Sequence, residues 1–305
     1  MLARCLLIWL VCLLSPSAAV AATVDGSEQG EYAVGYRSIK IERQDGTAFW
    51  AWVFYPADVH EQDAGLIEGD DRFPVVSFGH GFLQPVQRYR YSLRFLASHG
   101  YIVVASNSHR GIAPDHAQYS RDLALCLTHL IELGRDDSSW LAGRVDEDAL
   151  ALSGHSMGGG ASVSAAGSMR VQALITLAGA PLRTGPTRGP GNPPAQLHIV
   201  GDADRIVPPG ATRGLFADLD GPRLFASIAG GSHCGFMDET VLGCDKGSID
   251  HKEQLRISRS LMLAFLDLYL KGDERRHGAL WDRHPLEEPG TVVMERREGS
   301  DDDDQ

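Results

Sequence analysis

The chain has 305 residues, of which 43% are hydrophobic and 22% charged. This composition is ordinary for a globular protein and excludes a disordered, collagen-like or polytopic membrane chain. A chain of this length can bury a large core without disulfide or metal staples. The formal net charge of −12 argues against a nucleic-acid partner, which would require a basic patch.

The first 21 residues are typical of a secretory signal peptide. Arg4 supplies a positive charge, residues 6–14 (LLIWLVCLL) form a short apolar run, and residues 19–21 (AVA) offer a small-x-small cleavage site. The alternative is an uncleaved membrane anchor, but a helix needs about 20 apolar residues to span a bilayer. We therefore expect export to the periplasm or the medium, with no stable membrane anchor after cleavage.

Downstream of the signal, the predicted elements begin with a hairpin and then alternate between strands and helices. The hairpin strands, 34–42 and 47–55, flank a turn signal at 44–46. Further strands are predicted at 73–79, 101–106, 149–152, 173–178, 196–200 and 224–228. Helices are predicted at 87–98, at 117–134, from Ser156 onward, between the last two strands, and at 251–270. This alternation predicts an α/β fold, a mostly parallel sheet with helices on both faces.

One catalytic domain is predicted over residues 30–275. The Gly- and Pro-rich stretch 179–195 is typical of a mobile loop and not of a folded cap domain. Residues 288–305 are charged and end in four consecutive aspartates, so a disordered acidic tail is predicted there.

Residues 154–158 (GHSMG) form a G-x-S-x-G pentapeptide, the strongest chemical signal in the chain. The motif follows the buried strand at 149–152 and opens a helix rich in small residues, which is the strand–turn–helix setting that a nucleophilic serine requires. The start of a helix favours negative charge. We predict Ser156 as a nucleophile; the alternative is an idle serine in a glycine-rich turn.

A serine hydroxyl becomes a good nucleophile only beside a base. When the serine sits on such a turn, an acid and then a histidine follow it along the chain. His233 lies in a loop directly after a predicted strand, unlike the other downstream histidines, His198, His251 and His277. The preceding loop offers Asp202 and Asp204. Asp204 is preferred as the orienting carboxylate because the apolar pair and the proline that follow it would anchor its loop. Asp202 is expected to stabilise the same loop.

The segment 78–82 (FGHGF) follows the first long buried strand, where a second oxyanion donor normally lies. We assign the oxyanion hole to the backbone N–H groups of Phe82 and Met157, and expect His80 to brace this loop. The substrate pocket is predicted to involve Leu83, His155 and Leu182.

Cysteine positions predict one disulfide. Cleavage after residue 21 removes Cys5 and Cys12, two of the five cysteines. Cys126 lies in an apolar helical pattern and is expected to be a buried thiol. Cys234 and Cys244 are ten positions apart in a Gly-rich stretch and are predicted to pair; the alternative is two unpaired loop thiols. The chain has no CxxC motif or His/Cys cluster typical of zinc, so no metal or cofactor is expected.

Together these features resemble the α/β-hydrolase superfamily over about residues 34–270. Three segments look like the group containing cutinase-like polyester hydrolases, chlorophyllases and platelet-activating-factor acetylhydrolases. The segments are 81–82 (GF), 96–108 (LASHGYIVVASNS), and 204–208 (DRIVP) with 231–233 (GSH). The resemblance implies an α/β-hydrolase fold without a large cap domain. It also implies an esterase with a Ser156–Asp204–His233 triad and the two backbone oxyanion donors named above.

The sequence departs from the polyester hydrolases at three places. Those enzymes usually carry a tryptophan directly before the nucleophilic serine and another in an Ala-Pro-Trp-like turn. Here these positions are His155 and Leu182, and the family's C-terminal disulfide does not map cleanly onto Cys234 and Cys244. Loss of an aromatic platform weakens the case for aromatic polyesters.

The sequence therefore predicts a secreted serine hydrolase that cleaves small or polymeric carboxylic esters through an acyl-enzyme intermediate. A secreted serine peptidase or an acyltransferase would use the same triad and is the first alternative. A non-catalytic binding protein on the same scaffold is the second. The chain length of the ester and the oligomeric state are left open.

Overall fold

The computed structural model describes residues 25–182, 191–282 and 291–299. Its strands are β1 (Ala33–Glu42), β2 (Ala48–Ala57), β3 (Phe73–Gly79), β4 (Ile102–Ser106), β5 (Val145–His155), β6 (Ala173–Leu177), β7 (Ala195–Gly201), β8 (Arg223–Ile228) and β9 (Val292–Arg297). Its α-helices are α1 (Arg90–Ser98), α2 (His116–Arg135), α3 (Met157–Ala166), α4 (Pro209–Asp218), α5 (His251–Lys271) and α6 (His277–Trp281). The predicted signal peptide, residues 1–21, lies outside the described residues.

All these strands belong to one sheet, in the order β1-β2-β4-β3-β5-β6-β7-β8-β9. Neighbours from β4 to β8 pair in parallel, whereas β1, β2 and β9 add antiparallel pairings at the two edges. Strands β3, β4, β6 and β7 are buried at every residue, as expected for parallel strands covered on both faces. The predicted α/β-hydrolase fold is confirmed.

Helices cover both faces of the sheet. Apolar side chains of α1 and α5 pack in one core cluster, and those of α2 and α3 pack in a second cluster across the sheet. The loops that follow the parallel strands therefore emerge together at one edge, where α/β proteins place their ligands. Within the part of the chain that the structure describes, no helix combines the length and apolar character needed to cross a membrane.

The C-terminal region corrects two predicted boundaries. Residues 292–297, predicted to be part of a disordered tail, form the edge strand β9, which pairs with β8 along its whole length. Val292 and Met294 are buried on one face, at 4% and 7% exposure, whereas Val293 between them is 64% exposed. This burial outweighs the charged composition of the segment. Since α6 and β9 pack on the same core, the folded domain extends beyond residue 275.

Candidate active site

Ser156 occupies the tight turn between β5 and α3. Its backbone lies in the left-handed region, with φ +55°, a strained conformation for a residue other than glycine. A Cβ on Gly154 would come within 2.4 Å of the Gly158 carbonyl carbon, and one on Gly158 within 2.1 Å of the Gly79 oxygen. Glycine is therefore required at both positions of the motif, because α3 approaches β3 and β5 too closely for any side chain.

His233 and Asp204 lie in the loops after β8 and β7 and are hydrogen-bonded to each other. The distance from His233 Nδ1 to Asp204 Oδ2 is 2.7 Å, and both residues are 5% exposed. The other carboxylate oxygen of Asp204 accepts the backbone N–H groups of Ile206 and Val207, at 2.8 Å each. The carboxylate is thus fixed by its own loop, and it holds the His233 proton on Nδ1, leaving Nε2 free to accept one.

Asp202 makes a different contact from Asp204. Its Oδ1 accepts the backbone N–H of Gly230 at 2.6 Å, which ties the Asp204 loop to the start of the His233 loop. This is the loop-stabilising role expected for Asp202, and it separates the functions of the two aspartates.

The other downstream histidines have structural contacts of their own. The ring of His198 is buried in β7, 2.8 Å from the Thr176 hydroxyl, and burial lowers its pKa to about 3. His251 Nε2 lies 2.7 Å from the carbonyl oxygen of Met237 at the start of α5. His277 stacks on Trp281 in α6.

Ser156 and His233 line one pocket of about 250 Å³, together with Phe82, Leu83 and His155. This volume is slightly below the usual range for small-ligand sites, roughly 300–1,000 Å³. The sequence reasoning missed two further apolar lining residues, Ile206 and Met237. The pocket suits a short acyl or alkoxy group.

Leu182 does not line this pocket, contrary to prediction. The turn after β6 folds back over α3, with the Ala180 N–H donating to the Ser156 carbonyl oxygen at 2.9 Å. Leu182 then packs against the α2/α3 core cluster, where a Cβ on Gly160 would lie 2.8 Å from the leucine Cγ. Residues 183–190 of the predicted mobile loop lie outside the described residues.

The loop after β3 carries the predicted oxyanion donor Phe82, whose side chain is 44% exposed at the rim of the pocket. His80 is buried beneath this loop, with its two ring nitrogens each 2.8 Å from a carbonyl oxygen, those of Gly81 and Ser108. It braces the loop, as expected. Met157 begins α3, and the first N–H groups of a helix have no acceptor within the helix.

Asp245, which was not predicted as a site residue, is hydrogen-bonded to both the Asp204 loop and the His233 loop. Its Oδ2 accepts the backbone N–H of His233 at 2.9 Å and that of Arg205 at 3.1 Å, and its Oδ1 accepts the N–H of Cys234 at 3.1 Å. One carboxylate therefore fastens the Asp204 loop to the His233 loop. No local pattern marks it, since the partners are up to 40 positions away in sequence.

The predicted disulfide between Cys234 and Cys244 is present, with a Cα–Cα distance of 5.8 Å. It holds Asp245 next to the His233 loop. Cys126 is a buried free thiol in α2, and burial raises its pKa. Across the described ranges, no group of three or more His, Cys, Asp or Glu side chains is arranged to hold a metal ion.

Replacing both bridged cysteines by serine is expected to lower the free energy of unfolding by about 2–4 kcal/mol, because the cross-link restricts the unfolded chain. Urea denaturation followed by circular dichroism measures this change. Wild-type protein treated with a reductant is the matched control and should lose the same amount. Identical denaturation midpoints for the double variant and the wild type would contradict a formed bridge.

Comparison with known proteins identifies a family for this chain. A family model described as PETase, PET hydrolase-like, matches residues 21–236, well over half of the chain. The match includes the pentapeptide and the loops of Asp204 and His233. No curated protein matches the sequence significantly.

Proposed function

The chain belongs to the PET hydrolase-like family of ester hydrolases with the α/β-hydrolase fold, and from that premise we propose that it is a serine hydrolase of carboxylic esters. Ser156 is the nucleophile, His233 the general base and Asp204 the orienting acid. The observation that carries the proposal is the 2.7 Å hydrogen bond between His233 and Asp204, together with the pocket that His233 and Ser156 both line. The family match supports the ester as the bond that is cleaved.

The mechanism has two acyl-transfer steps. His233 Nε2 removes the proton from the Ser156 hydroxyl as its oxygen attacks the ester carbonyl carbon. Backbone N–H groups of Phe82 and Met157 stabilise the resulting oxyanion. His233 then protonates the departing alcohol, which leaves an acyl-enzyme. A water molecule, deprotonated by His233, releases the acid, while Asp204 stabilises the imidazolium in both steps without itself taking the proton.

The substrate is proposed to be a small ester or the exposed end of a polymeric one. The rim of the pocket presents apolar side chains to solvent, since Phe82 and Leu83 are 44% and 46% exposed and Ile206 is 51% exposed. An open apolar rim can contact a chain longer than the pocket itself accommodates.

An ester and an amide with the same acyl group test the reaction class. We expect the purified protein to hydrolyse p-nitrophenyl acetate or butyrate and to leave the matching p-nitroanilides essentially intact. Comparable turnover of the amides would instead favour a peptidase. Acylation of an added alcohol in preference to water would favour an acyltransferase.

Export is part of the proposal. The N-terminal 21 residues carry the signal-peptide pattern, and a disulfide persists in an oxidising compartment. N-terminal sequencing of protein recovered outside the cytoplasm should begin near residue 22. Full-length protein retained in the cytoplasm would contradict export.

Asp245→Ala is expected to lower kcat about 10-fold or more, because three backbone N–H groups lose their acceptor and both catalytic loops loosen. Asp250→Ala is the matched control. Its carboxylate also accepts two backbone N–H groups, but these begin α5. It should cost about 1 kcal/mol of stability and leave kcat unchanged. Equal kcat values for the two variants would contradict the positioning role of Asp245.

A further inference from the structure

We infer that Tyr89 and His155 form a buried relay of hydrogen bonds that positions the oxyanion loop and the general-base loop relative to each other. This inference rests on the proposed function. Both side chains are 1% exposed, and His155 directly precedes the nucleophile. The sequence predicts His155 only as a residue of the substrate pocket, and no motif in it marks Tyr89.

Three contacts build the relay. The Gly81 backbone N–H donates to the Tyr89 hydroxyl oxygen at 3.0 Å. That oxygen lies 2.9 Å from His155 Nδ1. At the far side of the ring, His155 Nε2 lies 3.1 Å from the backbone carbonyl oxygen of His233. The chain of bonds therefore runs from the residue before the proposed oxyanion donor Phe82 to the backbone of the base.

The groups at the two ends of the relay determine which atom carries the proton in each of its hydrogen bonds. A backbone N–H can only donate and a carbonyl oxygen can only accept. His155 Nε2 must therefore carry a proton to bond the His233 carbonyl oxygen. The Tyr89 hydroxyl then donates to the bare Nδ1 while accepting from Gly81. All polar atoms are satisfied in this one arrangement, with the imidazole neutral.

Burial favours the same protonation state. It lowers the pKa of His155 well below its usual value and raises that of Tyr89, so both groups are neutral near pH 7. A second proton on His155 Nδ1 would leave the Tyr89 hydroxyl proton without an acceptor. The neutral relay is therefore also the stable one.

The relay acts on catalysis through the loops that it joins. Its two ends lie in the loops after β3 and β8, on opposite sides of β5 in the sheet. The ring of His155 also contacts that of His233, with centroids 4.5 Å apart. Because Tyr89 does not line the pocket of Ser156 and His233, its effect passes through His155 and Gly81.

Tyr89→Phe removes one hydroxyl and keeps the ring. We expect kcat for a soluble p-nitrophenyl ester to fall about 10–100-fold, because the hydrogen bonds that hold the two loops in a fixed relative position are broken. KM should change little. Tyr55→Phe is the matched control. Tyr55 is equally buried, and its hydroxyl donates to the Ala64 carbonyl oxygen at 2.7 Å. This control should lower the unfolding midpoint and leave kcat unchanged. Equal kcat losses in the two variants would overturn the relay.

A pair of His155 variants tests the chemistry of the relay. A glutamine side chain can accept from Tyr89 and donate to the His233 carbonyl oxygen, whereas leucine can do neither. His155→Gln should therefore retain more of the wild-type kcat than His155→Leu. Equal losses would overturn the hydrogen-bonding role.

Nitrogen-15 NMR of the histidine rings tests the relay independently of turnover. Wild-type His155 should be the neutral Nε2–H tautomer, and Tyr89→Phe should shift the resonance of the unprotonated Nδ1, which loses its donor, while the His233 carbonyl oxygen keeps the proton on Nε2. An Nδ1–H tautomer or an imidazolium in the wild type would overturn the proton arrangement. If the wild type hydrolysed no ester, the proposed function would fail while this spectrum still reported on the relay.

We propose independently that a second groove binds an aromatic carboxylate. Its floor is a row of rings on one face of β1 and β2, those of Tyr36, Trp52 and Phe54. Their centroids are 5.8–6.4 Å apart, and their planes are inclined by 19–28°. The groove has a volume of about 420 Å³, and the start of α1 forms its other wall. Tyr36 and Trp52 are partly exposed, whereas Phe54 behind them is 4% exposed, so a flat ring would stack on the first two.

Two guanidinium groups give this groove its charge. In the described ranges, neither Arg90 nor Arg94 has a carboxylate within ion-pair distance; the Arg90 guanidinium lies over the Tyr91 ring, and that of Arg94 lies over the Tyr36 ring. Arg94 lies 3.1 Å from His60 Nδ1, which already accepts the Val34 N–H and so bears no proton. The two positive charges are therefore uncompensated in a chain of net charge −12. A carboxylate on the ring would pair with them.

Titration calorimetry on the Ser156→Ala protein tests the groove without turnover. Benzoate should bind saturably, whereas cyclohexanecarboxylate lacks the ring, benzamide lacks the charge, and both should bind far more weakly. Trp52→Leu and Arg90→Gln should each abolish benzoate binding. Trp50→Leu is the matched control, since Trp50 is 55% exposed and lies outside the groove. Absence of benzoate binding, or binding unchanged in Trp52→Leu, would overturn this site.

Discussion

Ser156→Ala is expected to reduce kcat for a short p-nitrophenyl ester by about 10⁶-fold, to the level that binding and the oxyanion donors alone sustain. The loss is this large because the hydroxyl oxygen forms the covalent bond to the acyl group.

The fold should survive the Ser156→Ala change. Alanine keeps the strained φ of +55° and removes only the hydroxyl oxygen of Ser156, a residue that is 8% exposed. The unfolding midpoint should therefore stay near that of the wild type. Ser168→Ala, which alters an exposed serine beyond the end of α3, is the activity control and should match the wild type. Retained turnover in Ser156→Ala at an unchanged midpoint would exclude this residue as the nucleophile.

Asp204→Asn should lower kcat about 10⁴-fold, as removal of the orienting charge does in other serine triads. The backbone around position 204 fixes the orientation of the asparagine side-chain amide in this variant. Because Ile206 and Val207 both donate to one carboxylate oxygen, the amide oxygen stays on them and the amide nitrogen faces His233. His233 must then present a bare Nδ1 and carry its proton on Nε2, which is the wrong tautomer for a base.

Asp202→Asn is the matched control for that experiment. Its contact to the Gly230 N–H needs only an acceptor, which the amide oxygen supplies. Its kcat should therefore remain within a few-fold of the wild type. The ratio of the two kcat values, measured on one ester, is the informative quantity. A larger loss in Asp202→Asn than in Asp204→Asn would reverse the assignment of the two aspartates.

Local signals in the sequence were sufficient to predict the fold and the candidate triad. The pentapeptide around Ser156 reports a turn whose geometry only glycine permits, and buried strands in α/β proteins form continuous apolar runs. The loops of Asp204 and His233 follow such runs. The start of β5 was missed because residues 146–148 (DED) are charged and at least partly exposed, although Val145 before them is buried and pairs with Phe73.

Tertiary contacts decided the features that were not predicted. The edge strand β9 is ordered by pairing with β8, which a charged segment does not signal. Leu182 leaves the pocket because the turn before it bonds to the carbonyl oxygen of Ser156. Tyr89 and His155 are 66 positions apart, and His155 lies 78 positions from the carbonyl that it contacts. A single sequence shows no periodicity or motif at such separations.

Labelling with a fluorophosphonate, followed by mass measurement of the intact protein and its peptides, tests the central claim most directly. The reagent reacts with a serine only when a neighbouring base activates it. We predict one adduct per chain, on the peptide containing Ser156, with labelling suppressed in Asp204→Asn. An ester-hydrolysing protein that carries its adduct on another residue, or that takes up no label, would contradict the account.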